Sequence, residues 1–356
     1  MNITTAKAPL FEKLQKGAEL ELATLPPYLT AMWSIKPGTN IPSSVAIRSV
    51  FMEEMLHLTL ATNILSSIGG SVRLGEAEIP KYPLVLEFDG TRFKDREVDI
   101  QLAPFSKESM WTFMQIELPA NFAPDEIPQE KAELEVPGFT IGEFYQGIKS
   151  DLTDLVEEYG EEAVFSGDPR NQVSEEFYWH GGGKPIVVRN LSDASEAIDV
   201  ICDQGEGADG TLFDGDNHFF GQPEEIAHYF RFKQIYSERY YAKTDNIHSE
   251  PSGPIFPVTY DDVYPIKPNC TSADFAGTPE LENLNNRFNA HYSMMLSQLE
   301  QGFRDDPTVL YTAIMNGMRG LTPIAQAIMQ TPINGDPEGR TGCPTFEWRA
   351  PITVNP

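Results

Sequence analysis

A glutamate and a histidine lie three residues apart in the segment VFMEEMLHLTLATNIL, which covers residues 50–65. On a helix, Glu54 and His57 share one face with Ala61 and Leu65, so both polar side chains point toward the core. An ionised carboxylate is costly to bury without a partner. The segment therefore predicts a helix whose buried face holds a cation.

Three further segments place acids on predicted core faces. Glu21 lies four residues before Leu25 on one helix, and Glu143 lies on another. Glu225 and His228 repeat the three-residue spacing of the first segment. The order Glu, Glu-x-x-His, Glu, Glu-x-x-His is the one by which helical bundles hold two iron or manganese ions. Carboxylates bridge metal ions, and each imidazole adds a nitrogen ligand, which leaves positions open for dioxygen.

The spacing by itself is a modest signal, because the chain has 53 acidic residues and six histidines among 356 residues. A third pair with this spacing, Asp245 and His248, lies in a polar segment and is interpreted as a surface coincidence. Surface acids and hydrogen-bonded core histidines are the alternative interpretation of the other two pairs. Placement in amphipathic helices favours the metal site.

The apolar periodicity predicts a mainly α chain. Bundle helices are predicted at about 8–34, 43–68, 140–159 and 222–241, with C-terminal helices at about 279–304 and 307–329. Pro26 and Pro27 are expected to kink or interrupt the first helix, and Pro223 to lie in the first turn of the fourth. A hairpin is predicted between about 72 and 104, and a strand at 185–188.

Charge and composition exclude several partners. The formal net charge of −27 disfavours nucleic acid and anionic lipid as partners. The chain starts without an apolar signal core and contains no apolar run of about 18 residues, so neither secretion nor membrane insertion is expected. Three widely spaced cysteines fit a reducing cytoplasm.

Several ordered motifs resemble one known family. They are LELATLPPYL at 20–29, EEMLHL at 53–58, IELP at 116–119, IGEFY at 141–145, QGEG at 204–207, AHYFRF at 227–232 and PTFE at 344–347. They resemble the ferritin-like domain of the iminophenyl-pyruvate dimer synthases of bisindole and indolocarbazole pathways. Those synthases are longer, so the chain is expected to be a stand-alone relative. The prediction is a ferritin-like four-helix bundle with extra helices, a small β-hairpin and irregular insertions, as one domain over residues 1–356.

The resemblance implies a specific set of metal ligands: Glu21, Glu54, His57, Glu143, Glu225 and His228. Glu206 in the QGEG motif is left open as a replacement for Glu225 or an addition to it, although a role in a helix-ending turn is the preferred interpretation. Glu117 is interpreted first as a capping or supporting group and second as a ligand.

Aromatic and Met side chains near these helices are interpreted mainly as core. The set is Tyr28, Trp33, Met52, Phe144, Tyr145, Tyr229 and Phe232. Tyr145 and Tyr229 are the catalytic candidates, because each adjoins a ligand helix face and carries a hydroxyl. Arg231 is expected to form a surface salt bridge, with binding of a substrate carboxylate as the alternative.

The leading functional hypothesis is a di-iron oxidoreductase that activates dioxygen, with manganese as an alternative metal. Its expected substrate is a small organic molecule such as an aromatic amino acid or imine derivative. The alternatives are oxidative dimerisation of the iminophenyl-pyruvate type and a non-catalytic iron-binding or structural bundle. A homodimer is left open.

Overall fold

The architecture is described from a computed structural model, which covers residues 2–89, 96–120, 122, 135–137, 140–178, 181–215 and 225–350. Within these ranges the helices are α1 (Ile3–Ser34), α2 (Ile41–Ser67), α3 (Lys107–Ile116), α4 (Ile141–Tyr159), α5 (Glu161–Val164), α6 (Leu191–Glu206), α7 (His228–Ser237), α8 (Pro279–Arg304), α9 (Leu310–Thr312) and α10 (Arg319–Gln330). The mainly helical fold predicted from the apolar pattern is confirmed. None of the described helices is both long and apolar enough to span a bilayer.

The helix α1 runs without a break through Pro26 and Pro27, so the expected interruption is wrong. Proline at position 27 cannot donate to the carbonyl of Ala23, which lies four residues earlier. The hydroxyl of Tyr82 donates to that carbonyl over 2.7 Å instead. A side chain from outside the helix thus replaces one of the lost backbone bonds.

The helix α2 starts two residues earlier than predicted, at Ile41 directly after Asn40. Asn40 adopts the left-handed conformation with φ of 43°, and its side chain pairs with the backbone of Thr259 at 2.8 Å in both directions. Asn40 therefore ties the start of α2 to a distant loop instead of capping it. At the other end, Gly69 follows the helix with φ of 89°, a left-handed conformation that suits glycine after a helix end near the predicted residue 68.

The central helices α1 and α2 carry the core. Residues 20–31 of α1 and 53–67 of α2 are all buried. The pairs α4 with α6, α3 with α7, and α8 with α10 each pack together and contact these two helices. Because α1 and α2 are covered all round, any polar side chain in their middle must find its partners inside the protein.

The fourth predicted bundle helix is shorter than expected at both ends. It begins at His228 rather than near 222 and ends at Ser237 rather than 241. Residues 225–227 are not helical, and Ile226 forms an isolated β-bridge with Phe213. Pro223 lies outside the described residues. The predicted helix at 307–329 contains a π-helical segment, Ala313–Met318, between α9 and α10.

The predicted hairpin is present as β1 (Leu84–Asp89) and β2 (Arg96–Ile100), which pair antiparallel with Leu84 opposite Ile100. A third strand, β3 (Glu135–Pro137), pairs parallel to β1, so the order is β2-β1-β3. β3 lies in a stretch predicted to be irregular, most of which is outside the described residues.

The predicted strand at 185–188 is wrong, because side chains rather than a neighbouring strand satisfy its backbone. The amide of Asn63 donates to the carbonyls of Val173 and Ile186 at 2.9 and 2.8 Å. Gln172 exchanges two hydrogen bonds of 2.7 Å with Val188. Asn63, inside α2, therefore fixes two loop segments against the core.

We expect Asn63→Ala to lower the free energy of unfolding by roughly 2 to 4 kcal/mol, since it leaves buried backbone groups of the two loops without partners. Asn283→Ala, at an exposed position of α8, is the matched control and should change stability little. Urea denaturation followed by circular dichroism measures both. Equal effects of the two substitutions would contradict the role of Asn63.

Candidate metal centre

Glu54 lies between two histidines in the middle of the bundle. Its Oε1 atom is 3.4 Å from Nδ1 of His57 and 3.0 Å from Nδ1 of His228. The two imidazole rings are 5.4 Å apart between centroids and tilted by 26°. One carboxylate oxygen of Glu54 thus faces two imidazole rings whose planes are nearly parallel.

Two buried triads share this carboxylate. The first joins Glu54 with Glu21 and His57, and the second joins Glu54 with Glu117 and His228. In each triad, one candidate ligand atom per residue lies within 4.8 Å of the others. The two triads would suit two adjacent cations, and Glu54 is the residue that both would share.

Helix positions explain how these side chains meet. Glu54 and His57 lie about one turn apart on α2, and Glu21 comes from the neighbouring α1. Glu117 is the residue that ends α3, and His228 is the first residue of α7. The second triad is therefore completed by residues from two helix ends, whereas the first comes entirely from helix interiors.

The carboxylates lack enough positive charge around them. Burial, together with the charge of Glu54, raises the pKa of Glu21 well above its usual value, and the same causes raise the pKa of Glu117. Burial also acts to raise the pKa of Glu54, but the two neighbouring imidazoles hold it well below its usual range. Oxygen donors with one imidazole per triad suit iron or manganese, so the residues fit a pair of such ions.

Three hydroxyl groups hold the carboxylates in place. Tyr145 donates to Oε1 of Glu21 at 2.5 Å, and Thr24 donates to Oε2 of Glu54 at 2.9 Å. Tyr28 donates to Oε1 of Glu117. In every case the other oxygen of the carboxylate is the one nearest a histidine. The hydroxyls therefore determine which oxygen turns toward the cation sites.

The two histidines differ in what supports them. Nε2 of His57 is 2.9 Å from the amide oxygen of Gln204, whose nitrogen donates to the carbonyl of Gly182. Nε2 of His228 is 2.8 Å from Oε2 of Glu53. With Nε2 as the donor in both rings, Nδ1 of each is left to bind a metal ion. A carboxylate partner makes an imidazole a more basic ligand than an amide partner does.

The guanidinium of Arg231 completes the support of His228. It donates to Glu53 at 2.9 Å and to Asp214 at 2.7 Å, and lies 3.2 Å from Glu225. Burial acts to raise the pKa of Glu53, but the charge of Arg231 and the hydrogen bond of His228 lower it to about 2. This third acidic cluster already contains its cation. Arg231 is buried, so the expected surface salt bridge is wrong.

Three of the candidate ligands, Glu143, Glu225 and Glu206, lie outside the two triads. Glu143 is in the first turn of α4, where its backbone N–H donates to the cap residue Thr140. Glu225 lies beside Arg231, because the chain before His228 is not helical and the expected three-residue helical spacing does not exist. The helix α4 reaches the site through Tyr145 instead of Glu143.

Glu206 connects helix ends instead of joining a triad. Its two oxygens accept the backbone N–H groups of Gly142 at 3.0 Å and Ala120 at 2.9 Å. Burial raises the pKa of Glu206 to about 7 despite these bonds. A Cβ atom at position 142 would lie 2.4 Å from the Glu206 carboxylate, so a larger residue there would displace this carboxylate. Glu206 lines the same small cavity as Glu21, Glu54 and Glu117.

Of the two catalytic candidates, Tyr145 contacts a triad residue, whereas Tyr229 packs against an aromatic ring. Tyr145 lies against Glu21, as its place next to a ligand helix face suggested. The ring of Tyr229 packs on Phe122 at 5.0 Å, with the ammonium of Lys233 5.9 Å from its centroid. Tyr28, which was predicted only to pack in the core, donates a hydrogen bond to Glu117. Its position seven residues after Glu21 on α1 was the available signal.

Comparison with known proteins is consistent with this geometry. A sequence model described as ferritin-like matches residues 14–237. The chain belongs to the ferritin-like family. A crystal structure of a ferritin-like protein from Caulobacter vibrioides resembles the fold with a TM-score of 0.60 at 21% identity, covering 94% of this chain and 96% of that one.

Two curated relatives are similar over most of the chain. The 2-imino-3-(indol-3-yl)propanoate dimerase of Chromobacterium violaceum is 25% identical over 92% of this chain and 33% of its own length. The dichlorochromopyrrolate synthase of Lentzea aerocolonigenes is 23% identical over 96% of this chain and 36% of its own length. The chain therefore spans about a third of the length of these relatives.

We expect metal content to follow the triads. Wild-type protein loaded with ferrous iron should retain two ions per chain, Glu117→Ala about one, and Glu54→Ala essentially none, because Glu54 belongs to both triads. Glu143→Ala and Glu225→Ala are the controls and should retain the wild-type content. Elemental analysis after desalting measures it. Loss of iron in Glu143→Ala with retention in Glu117→Ala would reverse the ligand assignment.

Glu53→Gln should weaken the second metal site selectively, because it removes the carboxylate that polarises His228. We expect its affinity to fall by about 10- to 100-fold, while the His57 site keeps its affinity. Titration with a competing chelator resolves the two sites. Gln204→Ala is the matched change at His57 and should weaken the other site. Equal weakening of both sites by Glu53→Gln would contradict this assignment.

Proposed function

We propose that the chain is a non-haem di-iron oxidoreductase that uses dioxygen to oxidise a small organic substrate. The observation that carries the proposal is the pair of buried triads sharing Glu54. A purely structural ion would not require a site with few protein ligands for each metal, whereas a redox site needs coordination positions left open. Manganese in one or both positions is the alternative metal.

When bound, a pair of iron ions supplies one-electron redox chemistry and a binding place for dioxygen. The chain's own residues keep the carboxylate side chains of the triads in fixed orientations. Thr24, Tyr28 and Tyr145 fix the carboxylates through their hydroxyls. The side chains of Ile116, Leu118 and Ile141 line the small cavity beside the triads and limit the entry of water.

Tyr145 is the residue we propose for proton transfer. Burial and the neighbouring Glu21 raise the pKa of its phenol well above the usual value, so the phenol keeps its proton near neutral pH. The hydroxyl lies 2.5 Å from Oε1 of Glu21. It therefore stores a proton next to a carboxylate ligand, ready for a step in which reduced oxygen must be protonated. Tyr229 stays a weaker candidate for the same role.

We propose an aromatic 2-imino acid or a related amino acid as the substrate class. Support comes from the name of the Chromobacterium violaceum relative, which dimerises a 2-imino acid with an indole side chain. Oxidative dimerisation is the second candidate function for the same reason. Joining two such molecules by one carbon–carbon bond removes a hydrogen atom from each, and the two electrons and two protons reduce dioxygen to hydrogen peroxide. Whether the chain works as a homodimer stays a prediction.

The test supplies iron-loaded protein with an aromatic 2-oxo acid and ammonia, which form the imine in solution. We expect oxygen consumption above that of the metal-free protein, and no such consumption with Glu54→Ala. Tyr145→Phe should slow the reaction by about 100-fold, because it removes the proton donor together with the hydrogen bond that orients Glu21, and iron content measured on the same variant separates the two effects.

Mass spectrometry of the products separates the candidate functions. An oxidised monomer supports the leading proposal, and a dimer of the substrate supports oxidative dimerisation. A non-catalytic iron-binding bundle would consume oxygen only in proportion to the ferrous iron supplied. That last result with every tested imine would overturn the enzymatic proposal.

A further inference from the structure

A broad groove lies on a different side of α2 from the metal centre. Its walls come from one face of α2, from the end of α1, and from the π-helical segment with α10. On α2, Ser44, Arg48 and Met52 face the groove, and none of them belongs to a triad. With a volume of about 750 Å³, it falls in the range of small-molecule sites.

The floor of the groove is apolar and contains aromatic and Met side chains, such as Trp33, Phe51 and Met318. Its rim exposes two aliphatic side chains of α2, since Ile41 is 61% and Val45 is 62% accessible. Apolar side chains exposed around a concave surface indicate a binding site more often than a plain solvated surface does.

The charge of the groove is opposite to that of the whole chain. Lys36, Arg48 and Arg319 line it, and no Asp or Glu is among its described lining residues. The chain as a whole has 53 acidic residues against 26 basic ones. Within the part of the chain that the structure describes, no acidic side chain forms an ion pair with any of these three cations. Three cations without acidic partners around an apolar floor favour an amphipathic anion.

The π-helical segment contributes to this arrangement. One π turn inserts an extra residue, which rotates the residues that follow by about 100° relative to a continuous α-helix. The segment ends at Met318, and Arg319 follows directly, so both groove residues take their direction from this irregularity. Such segments cost helix stability and occur frequently at functional sites.

We propose that this groove binds a small amphipathic anion, a carboxylate carried on an aromatic or apolar body. Arg48 and Arg319 would bind the carboxylate, and the Trp33, Phe51 and Met318 side chains would contact the apolar body. The site is separate from the triads and does not depend on the proposed oxidase activity. A second copy of the chain would bring a much larger surface than a groove of about 750 Å³ accommodates, whereas a small anion fits that volume.

The test uses metal-loaded, full-length protein with two isosteric probes, 2-naphthoate and the neutral 2-naphthamide. Isothermal titration calorimetry should show one naphthoate site per chain and about tenfold weaker binding of the amide, since hydrogen bonds to charged groups are the stronger ones. The double variant Arg48→Gln/Arg319→Gln should bind both probes equally weakly. Lys243→Gln/Arg287→Gln, which changes the net charge equally at exposed sites, should bind as wild type.

Two further measurements keep the result interpretable. Thr322→Trp, which fills the groove without changing charge, should reduce the binding of both probes, and circular dichroism checks that each variant folds. Iron content should be unchanged in all variants, which separates this site from the metal centre. Equal affinity of wild type for the two probes, or unchanged naphthoate binding in the arginine double variant, would overturn the proposal. A third result would also overturn it: wild-type protein that is dimeric and binds no naphthoate, and that becomes monomeric in the arginine double variant. A second copy of the chain would then be the occupant of the groove.

Discussion

The structure depends on one buried carboxylate, that of Glu54, held between two histidines that come from different helices. A group of this kind cannot be placed in a covered helix unless neighbouring elements bring it donors or cations. His57, His228 and the Thr24 hydroxyl supply donors to Glu54, whereas Glu21 and Glu117 add negative charge that a bound cation would balance. The contacts also restrict the helices themselves, because α3 must end and α7 must begin where their polar side chains reach the centre.

The two halves of the centre are not equivalent, and the difference is electrostatic. His57 is backed by a neutral amide, while His228 is backed by Glu53, whose charge is balanced by Arg231. The second half therefore has a more basic imidazole and a chain of charges that continues to Asp214. If each triad holds an ion, this difference would let one ion be lost or exchanged while the other is kept.

Much of the fold follows from local pattern. The helix at 279–304 has the predicted bounds, since a proline in its first turn and one apolar face define it without help from other elements. The strands of the β-hairpin likewise pair as their alternation indicated. Two of the errors lie where distant side chains replace backbone bonds. Tyr82 keeps α1 continuous at Pro27, and Asn63 with Gln172 removes the need for a strand at 185–188.

The sequence by itself determined that acids and histidines share the buried faces of helices, because a three-residue spacing fixes direction within one helix. This spacing fixed Glu54 and His57 on one face of α2, and the structure brings Glu21 and His228 to them. Only the tertiary structure decided which further carboxylate joins them. Glu117 and Glu143 both adjoin helix ends, and Glu225 has the better spacing, yet the end of α3 brings Glu117 to His228 while the chain before α7 turns Glu225 to Arg231. Spacing describes a side chain relative to its own helix, whereas coordination depends on where separate helices end.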